Sequence, residues 1–236
     1  MDKLYIVIPA YNEEENIEIV VREWHDVVIK INERSRILLI DDGSKDNTFT
    51  KLKELQKELP QLETVTKPNS GHGATVIYGY QYALVNGADY VFQTDSDGQT
   101  LSSDFWQFWE NRKKYDFQIG SRKSRQDGIF RILVAKILRL ILFLQFGSWI
   151  IDANTPFRLM SAQSLTDLLP KIPNDHNLAN VLLTVLYTKT KKKMRYVPIT
   201  FRPRQGGVNS INIRKIIKIG WKAVKDFYQL KGEIEK

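Results

Sequence analysis

A chain of 236 residues with 42% apolar side chains can bury a sizeable core, which excludes global disorder and leaves one large α/β domain or two small ones. The lack of cysteine removes disulfides, cysteine-ligated zinc and thiol nucleophiles, and fits a reducing compartment. The formal charge of +8 favours anionic partners: nucleotides, phospholipid headgroups or nucleic acid.

The N-terminus runs straight into a strand-like stretch and has no signal-peptide layout. Residues 4–9, apolar and rich in β-branched side chains, read as a buried first strand. Asn12 is the expected N-cap of a helix over about 13–32, with acids in its first turn and Ile17, Val20, Val21, Trp24 and Val28 at helical spacing. A second strand at 36–40 closes on Asp41-Asp42-Gly43-Ser44, followed by a charged helix to about 59 and a short strand at 63–65. Asn69-Ser70-Gly71-His72-Gly73 is a loop before a helix over about 74–86; its glycines let backbone N–H groups approach a phosphate, and His72 reads either as a ligand contact or as a solvated loop residue. An apolar run from Tyr90 then stops at Asp95-Ser96-Asp97-Gly98-Gln99. Asp-x-Asp alone is as good a turn as a site. The alternation of strand and helix, however, predicts a parallel sheet with right-handed crossovers. The clusters at Asn12, Asp41-Asp42 and Asp95-Asp97 then share the carboxyl edge, where ligands of such sheets bind. Two hard carboxylates there suit Mg²⁺ or Mn²⁺ carrying a nucleotide's phosphates.

Further on, a helix with Phe105, Trp106 and Trp109 precedes a strand at 117–120 that delivers Ser121-Arg122-Lys123 to the same edge. Residues 129–151 are apolar but interrupted by Arg131, Lys136, Arg139 and Gln145, which reads as a helix partly core and partly membrane-facing rather than a full span. Asp152 to Met160 reads as a loop, followed by a helix to about 169, another at about 177–187 and a last strand at 194–201. The end, 212–231, is a basic amphipathic helix with the stripe Ile213, Ile217, Trp221, Val224 and Tyr228. Two readings fit it: an anionic membrane surface, or docking on its own domain with a solvated basic face.

Ile8-Pro9-Ala10-Tyr11-Asn12-Glu13, Ile40-Asp41-Asp42-Gly43-Ser44 with Asp46-Asn47-Thr48, and Thr94-Asp95-Ser96-Asp97-Gly98-Gln99 occur in order and at the usual spacing. Together they resemble the signature of inverting GT-A glycosyltransferases, in the group of the dolichol-phosphate mannose synthases and bacterial polyprenyl-phosphate sugar transferases. The resemblance implies an α/β, GT-A type Rossmann-like fold, with a mostly parallel central sheet flanked by helices and amphipathic helices at the C-terminus. It divides the chain into a catalytic domain, 1–205 (nucleotide-binding half 1–110, acceptor half 111–205), and a tail, 206–236. It implies that Pro9, Tyr11 and Glu13 line the base and ribose of a UDP- or GDP-linked sugar, with Gly71 nearby. Asp42 bonds the base, Asp95 and Asp97 hold the metal, and Gln99 lies close by. Arg122, Arg131 and Arg204 match the basic positions for acceptor and diphosphate. The chain departs from the pattern at Ala135, where serine is usual, and at Asn209, with Ser210 one place later.

Breaking a sugar–diphosphate bond develops negative charge on the leaving oxygen, which a divalent cation and arginine forks stabilise. A lipid phosphate acceptor is largely ionised and needs cations rather than a base, whereas a hydroxyl acceptor needs a carboxylate such as Asp152. Arginines 122, 131, 158, 202 and 204 and the two amphipathic segments favour polyprenyl phosphate, with Arg158 readable also as a structural ion pair. The enzyme is then peripheral on the cytoplasmic face of the membrane, in cell-wall or polysaccharide synthesis, and a homo-oligomer is compatible with it. The alternatives are transfer to a saccharide or lipid-linked saccharide hydroxyl, a nucleotidyltransferase, and a non-enzymatic anion binder. A nucleotidyltransferase usually carries a Gly-rich basic loop where this chain has Pro9-Ala10-Tyr11-Asn12. Nucleic acid is disfavoured because the basic residues cluster late, beside apolar stripes.

Overall fold

The computed structural model describes residues 1–122, 139–147, 150–202 and 227–228. Strands β1 (Leu4–Ala10), β2 (Arg36–Asp41), β3 (Leu62–Thr66), β4 (Tyr90–Gln93), β5 (Phe117–Arg122), β6 (Arg158–Ser161) and β7 (Met194–Ile199) form one sheet, ordered β3-β2-β1-β4-β6-β5-β7. Six run parallel; β6 is antiparallel to both of its neighbours. β6 was not expected from the sequence. It has four residues, just after Pro156, too few to show a period of their own, and its pairing with β4 and β5 is what makes it a strand.

The helices follow the expected pattern with shifted ends. They are α1 (Ile17–Ile31), α2 (Thr48–Glu58), α3 (His72–Val85), a single turn α4 (Trp106–Trp109), α5 at 139–146, α6 (Ala162–Leu168) and α7 (Ala179–Lys189). Alternate residues of β1 divide between two cores: Tyr5 and Val7 face α3, α6 and α7, while Leu4, Ile6 and Ile8 face the buried stripe Ile17, Val20, Val21, Trp24 and Val28 of α1. The helix expected around Trp106 is mostly a 3-10 turn (Ser102–Phe105) running into α4, because Phe105 and Phe108 must both turn inward on Phe92. Phe92 meets Phe105, Phe108, Phe157 and Trp24 at 4.7–6.2 Å between ring centroids. Such ring pairs add about 0.5–1.5 kcal/mol each to the burial itself. They anchor β4 immediately before its acidic turn.

Pro9 lies in a central strand, where a missing amide normally breaks a ladder. The Val7 carbonyl accepts from Thr94 and the Ala10 carbonyl from Asp42, so odd residues of β1 turn towards β4. Pairing of β1 with β4 ends at Val7 and Gln93, and Pro9 falls beyond it. Among the described residues no helix is long and apolar enough to cross a membrane. Residues 129–138 and the tail from 206, apart from Phe227 and Tyr228, lie outside the described residues.

Candidate functional site

The carboxyl ends of β1, β2 and β4 bring the three expected clusters to one rim. His72, at the N-terminus of α3, lies 3.2 Å from Asp95, and the amides of Ser70 and Gly71 just before it bond Asp42, which puts those acids on the same side of the molecule.

The loops after β1 and β2 are laced together. Asn12 takes a left-handed backbone (φ 55°), donates its amide to Ser44 Oγ at 2.9 Å and accepts the Lys45 amide on Oδ1 at 2.8 Å. Glu13 donates its amide to Thr48 Oγ1 at 2.8 Å, and Glu14 accepts from the Asn47 amide and side chain at 3.0 Å. Asn12 therefore does not cap α1. That helix starts at Ile17 after Asn16, because Asn12, Glu13 and Glu14 are committed to the neighbouring loop. Tyr11 is 43% exposed, Glu13 is half-buried with Oε2 accepting from Asn16, and Pro9 is buried.

Asp41 and Asp42 differ in role. Asp41 is buried and accepts from the Ser44 amide and Thr66 Oγ1. Asp42 accepts from the amides of Ser70 and Gly71, both at 2.9 Å, and pairs with Lys67. Burial pushes the Asp42 carboxyl up, but Lys67 and the Ser70 amide outweigh it and hold it below its ordinary value. Gly71 has φ +88°, which suits glycine, and its amide goes to Asp42.

The turn after β4 is closed at its neck by the Thr94 and Thr100 hydroxyls, 2.8 Å apart. Gly98 and Gln99 are held by Arg202, whose amide donates to the Gln99 carbonyl at 2.8 Å and whose Nε donates to the Gly98 carbonyl. Glu23 of α1 braces the same turn, accepting from Arg202 at 2.9 Å and from the Ser102 amide at 3.0 Å. Within it burial alternates: Ser96, Gly98 and Thr100 are buried, while Asp95, Asp97 and Gln99 are half-buried. Asp97 Oδ1 accepts the Gln99 amide at 3.0 Å, and Asp95 Oδ1 lies 3.2 Å from His72 Nε2. Among the described residues no three His, Asp or Glu side chains could close around an ion by themselves. The carboxylates of Asp95 and Asp97 instead suit Mg²⁺ or Mn²⁺ that completes its shell with phosphate and water oxygens.

On the far side of β4, Asp152 is 7% exposed and Arg158 is fully buried. Among the described residues Arg158 makes no ion pair within 4 Å. Its guanidinium donates to the carbonyls of Thr155 at 2.9 Å, Asn180 at 3.0 Å and Ala153 at 3.3 Å. Burial lowers its pKa, while Asp152 and Asp95 both lie close enough to oppose that shift. Arg158 and Arg202 thus hold loops. Arg122 ends β5 with its side chain outside the described set, and Arg131 and Arg204 lie outside the described residues. Lys67 and Glu23 are not singled out by the sequence, and Arg202 reads there only as a cation for the acceptor, because their partners are 25, 79 and 104 positions away and no local pattern carries them.

The model of Glycosyl transferase family 2 matches residues 5–169. The chain belongs to that family. This glycosyltransferase is 30% identical over 220 residues to the UDP-N-acetylglucosamine–dolichyl-phosphate N-acetylglucosaminyltransferase of Methanococcus voltae, covering 84% of this chain and 85% of that protein. It is 24% identical over 217 residues to the undecaprenyl-phosphate 4-deoxy-4-formamido-L-arabinose transferase of Pectobacterium atrosepticum, covering 91% of this chain but only 64% of that relative. Glucosyl-3-phosphoglycerate synthase of Mycobacterium tuberculosis, solved with Mn²⁺, UDP and phosphoglyceric acid, superposes with a TM-score of 0.73 at 15% identity, over 98% of this chain and 79% of that one. That likeness shows the fold: a mostly parallel, Rossmann-like sheet of the GT-A type.

Proposed function

We propose that this family 2 transferase moves a sugar from a UDP-linked donor to a polyprenyl phosphate at a membrane surface, with inversion at the anomeric carbon. The observation that carries the reading is the match to the archaeal dolichyl-phosphate transferase over most of both chains. GDP remains the alternative donor base, since an ionised Asp42 accepts equally from the ring N–H of uracil or guanine.

In this reading residues 1–110 form the donor half and 111–205 the acceptor half. Pro9, Tyr11, Glu13 and Gly71 border the nucleoside, and Asp42 takes its ring N–H. Asp95 and Asp97, with Gln99 beside them, hold Mg²⁺ or Mn²⁺. That ion supplies neutralisation of the charge that builds on the departing diphosphate. The braces on the 94–100 turn keep both carboxylates in place before the donor arrives, so little ordering remains for the reaction itself. An oxygen of the lipid phosphate bonds to the anomeric carbon as the bond to the diphosphate breaks, and the nucleoside diphosphate leaves. A phosphate already ionised needs no proton removed. The burial of Asp152 agrees, since it leaves that carboxylate little access to an acceptor hydroxyl. Arg122, Arg131 and Arg204 are the proposed cations for the two phosphate groups.

Leu140, Phe143 and Leu144 of α5 and the nearby Ile151 are exposed. They support a peripheral seat on the cytoplasmic face of a membrane, the tail 206–236 adding basic charge. Incubation with labelled UDP- and GDP-sugars and undecaprenyl or dolichyl phosphate in vesicles tests the reading. The expected product is a lipid-soluble sugar phosphodiester released by mild acid. A product that survives mild acid overturns the phosphate acceptor in favour of a hydroxyl.

A further inference from the structure

His72 plays no part in the mechanism above, yet it stands between the two halves of the donor site. The residues before it, Ser70 and Gly71, give their amides to Asp42, and its own ring lies on Asp95. One three-residue segment therefore touches both the acid proposed for the base and an acid proposed for the metal. Its backbone is fixed from three sides. The Thr75 amide and hydroxyl both bond the Gly71 carbonyl, at 3.1 and 2.9 Å, which sets the first turn of α3. Gly73 packs so tightly that a Cβ there would lie 2.1 Å from the His176 carbonyl oxygen and 2.6 Å from that of Asn177. α3 thus cannot slide or rotate at this end without breaking that contact. The half-exposed His72 ring is presented to Asp95 from a rigid base.

We propose that His72 is the positioning residue of Asp95: its Nε2–H donates to Asp95 Oδ1, fixes the rotation of the carboxylate, and leaves the other oxygen for the cation. The proposal rests on the reading that Asp95 and Asp97 hold the metal. A carboxylate ligand left free to rotate must lose that freedom each time the ion binds, and partners of this kind are worth about 10–100-fold in metal affinity. The geometry also specifies which substitution will work. Glutamine places an N–H donor about as far along the side chain as Nε2, whereas alanine has none.

The test is Mn²⁺ titration of the full chain in saturating UDP, with GDP in parallel, read from the electron paramagnetic resonance of the unbound ion. UDP and GDP binding in EDTA is measured beside it. His72→Ala is expected to raise the Mn²⁺ midpoint about tenfold or more, His72→Gln to stay within about threefold of wild type, and nucleotide binding in EDTA to change little. An unchanged midpoint in His72→Ala, with the midpoint lost in Asp97→Asn, overturns the role of His72 and leaves the metal site standing. Wild-type uptake of Mn²⁺ that persists in Asp97→Asn overturns the metal site itself and the proposal with it. Equal weakening in His72→Ala and His72→Gln also overturns it, since the donor would then not be what matters.

Discussion

The loops after β1, β2 and β4 and the segments around β6 and β7 carry opposite charges, and they use them differently. Around β1, β2 and β4 the carboxylates of Asp42, Asp95 and Asp97 each accept a bond from the chain and still stand at the edge of the sheet. A carboxylate has about four acceptor sites, so holding a loop and meeting a ligand are compatible. Across β4 the reverse holds. Arg158 points its N–H groups at the carbonyls of Ala153, Thr155 and Asn180, and Arg202 points its own at the Gly98 carbonyl and the Glu23 carboxylate, and a guanidinium engaged in that way holds the fold. An acid on a rim can serve structure and chemistry together; an arginine tends to serve one.

The sharpest way to break this comparison is Asp97→Asn. The change keeps Oδ1 as acceptor for the Gln99 amide, so the turn keeps its shape, and removes the charge. Transfer with Mn²⁺ should fall about 10³-fold, the several kcal/mol that metal stabilisation of a leaving group provides, while the melting temperature stays close to wild type. A variant that turns over at near-normal rate removes the metal role from this turn.

Arg158→Met tests the other half. It takes the Arg158 donors from the buried Thr155 carbonyl and one donor each from the carbonyls of Ala153 and Asn180, which keep the Thr184 hydroxyl. The relief of no longer burying a charge offsets part of that, and a net loss of about 3 kcal/mol in urea unfolding is expected. If stability holds and donor or acceptor binding falls instead, Arg158 belongs to the ligand and the contrast between the halves fails.

Lys67→Met asks how far structure and charge can be separated at Asp42. The carboxyl is held below its usual value of 3.8, even though burial alone would raise it. The stability it contributes is therefore present above about pH 4 and lost as pH falls through the lower folded value. Without Lys67 the folded value rises and that contribution shrinks. Unfolding free energy should drop by about 1–2 kcal/mol at pH 7, and the acid limb of the stability curve should move to higher pH. An acid limb that coincides with wild type would show that the Ser70 and Gly71 amides alone hold Asp42.

Much of the donor half was legible because its signals are local. Continuous apolar runs gave β1 and β2, helical spacing gave α1, and Asp-x-Asp with its neighbouring clusters placed the rim at the strand ends. What failed depended on distant partners. Asn12 looked like a helix cap until Ser44 and Lys45 were seen to bind it from another loop. β6 exists through its neighbours. Arg158 reads in the sequence as one more cation among many, and only the fold shows the three carbonyls around it. The apolar stretch before residue 151 reads in the sequence as part core and part membrane-facing, and whether its outer face meets a membrane is what substitution of Leu144 tests. In the described part Leu142 and Phe146 are buried and Leu140, Phe143 and Leu144 exposed, which is what a helix with two apolar faces gives.

Those exposed side chains carry the smallest of the expected effects. Leu144 is 72% exposed, so replacing it by glutamate disturbs no packing and should leave stability within about 0.5 kcal/mol. If α5 rests on lipid, burying a charge where a leucine had entered the headgroup region costs both the leucine's apolar area and the repulsion of an anionic surface. Together these amount to about 1–2 kcal/mol, or roughly tenfold in partition to vesicles of mixed neutral and anionic lipid. Nucleotide binding in solution should not change, because Leu144 lies in the acceptor half. The opposite substitution, Leu144→Lys, separates the two terms: it removes the same apolar area but attracts the surface, and should weaken partition less than glutamate does. Equal partition of wild type and both variants would mean that this face does not meet the membrane, and that the basic tail carries the association alone.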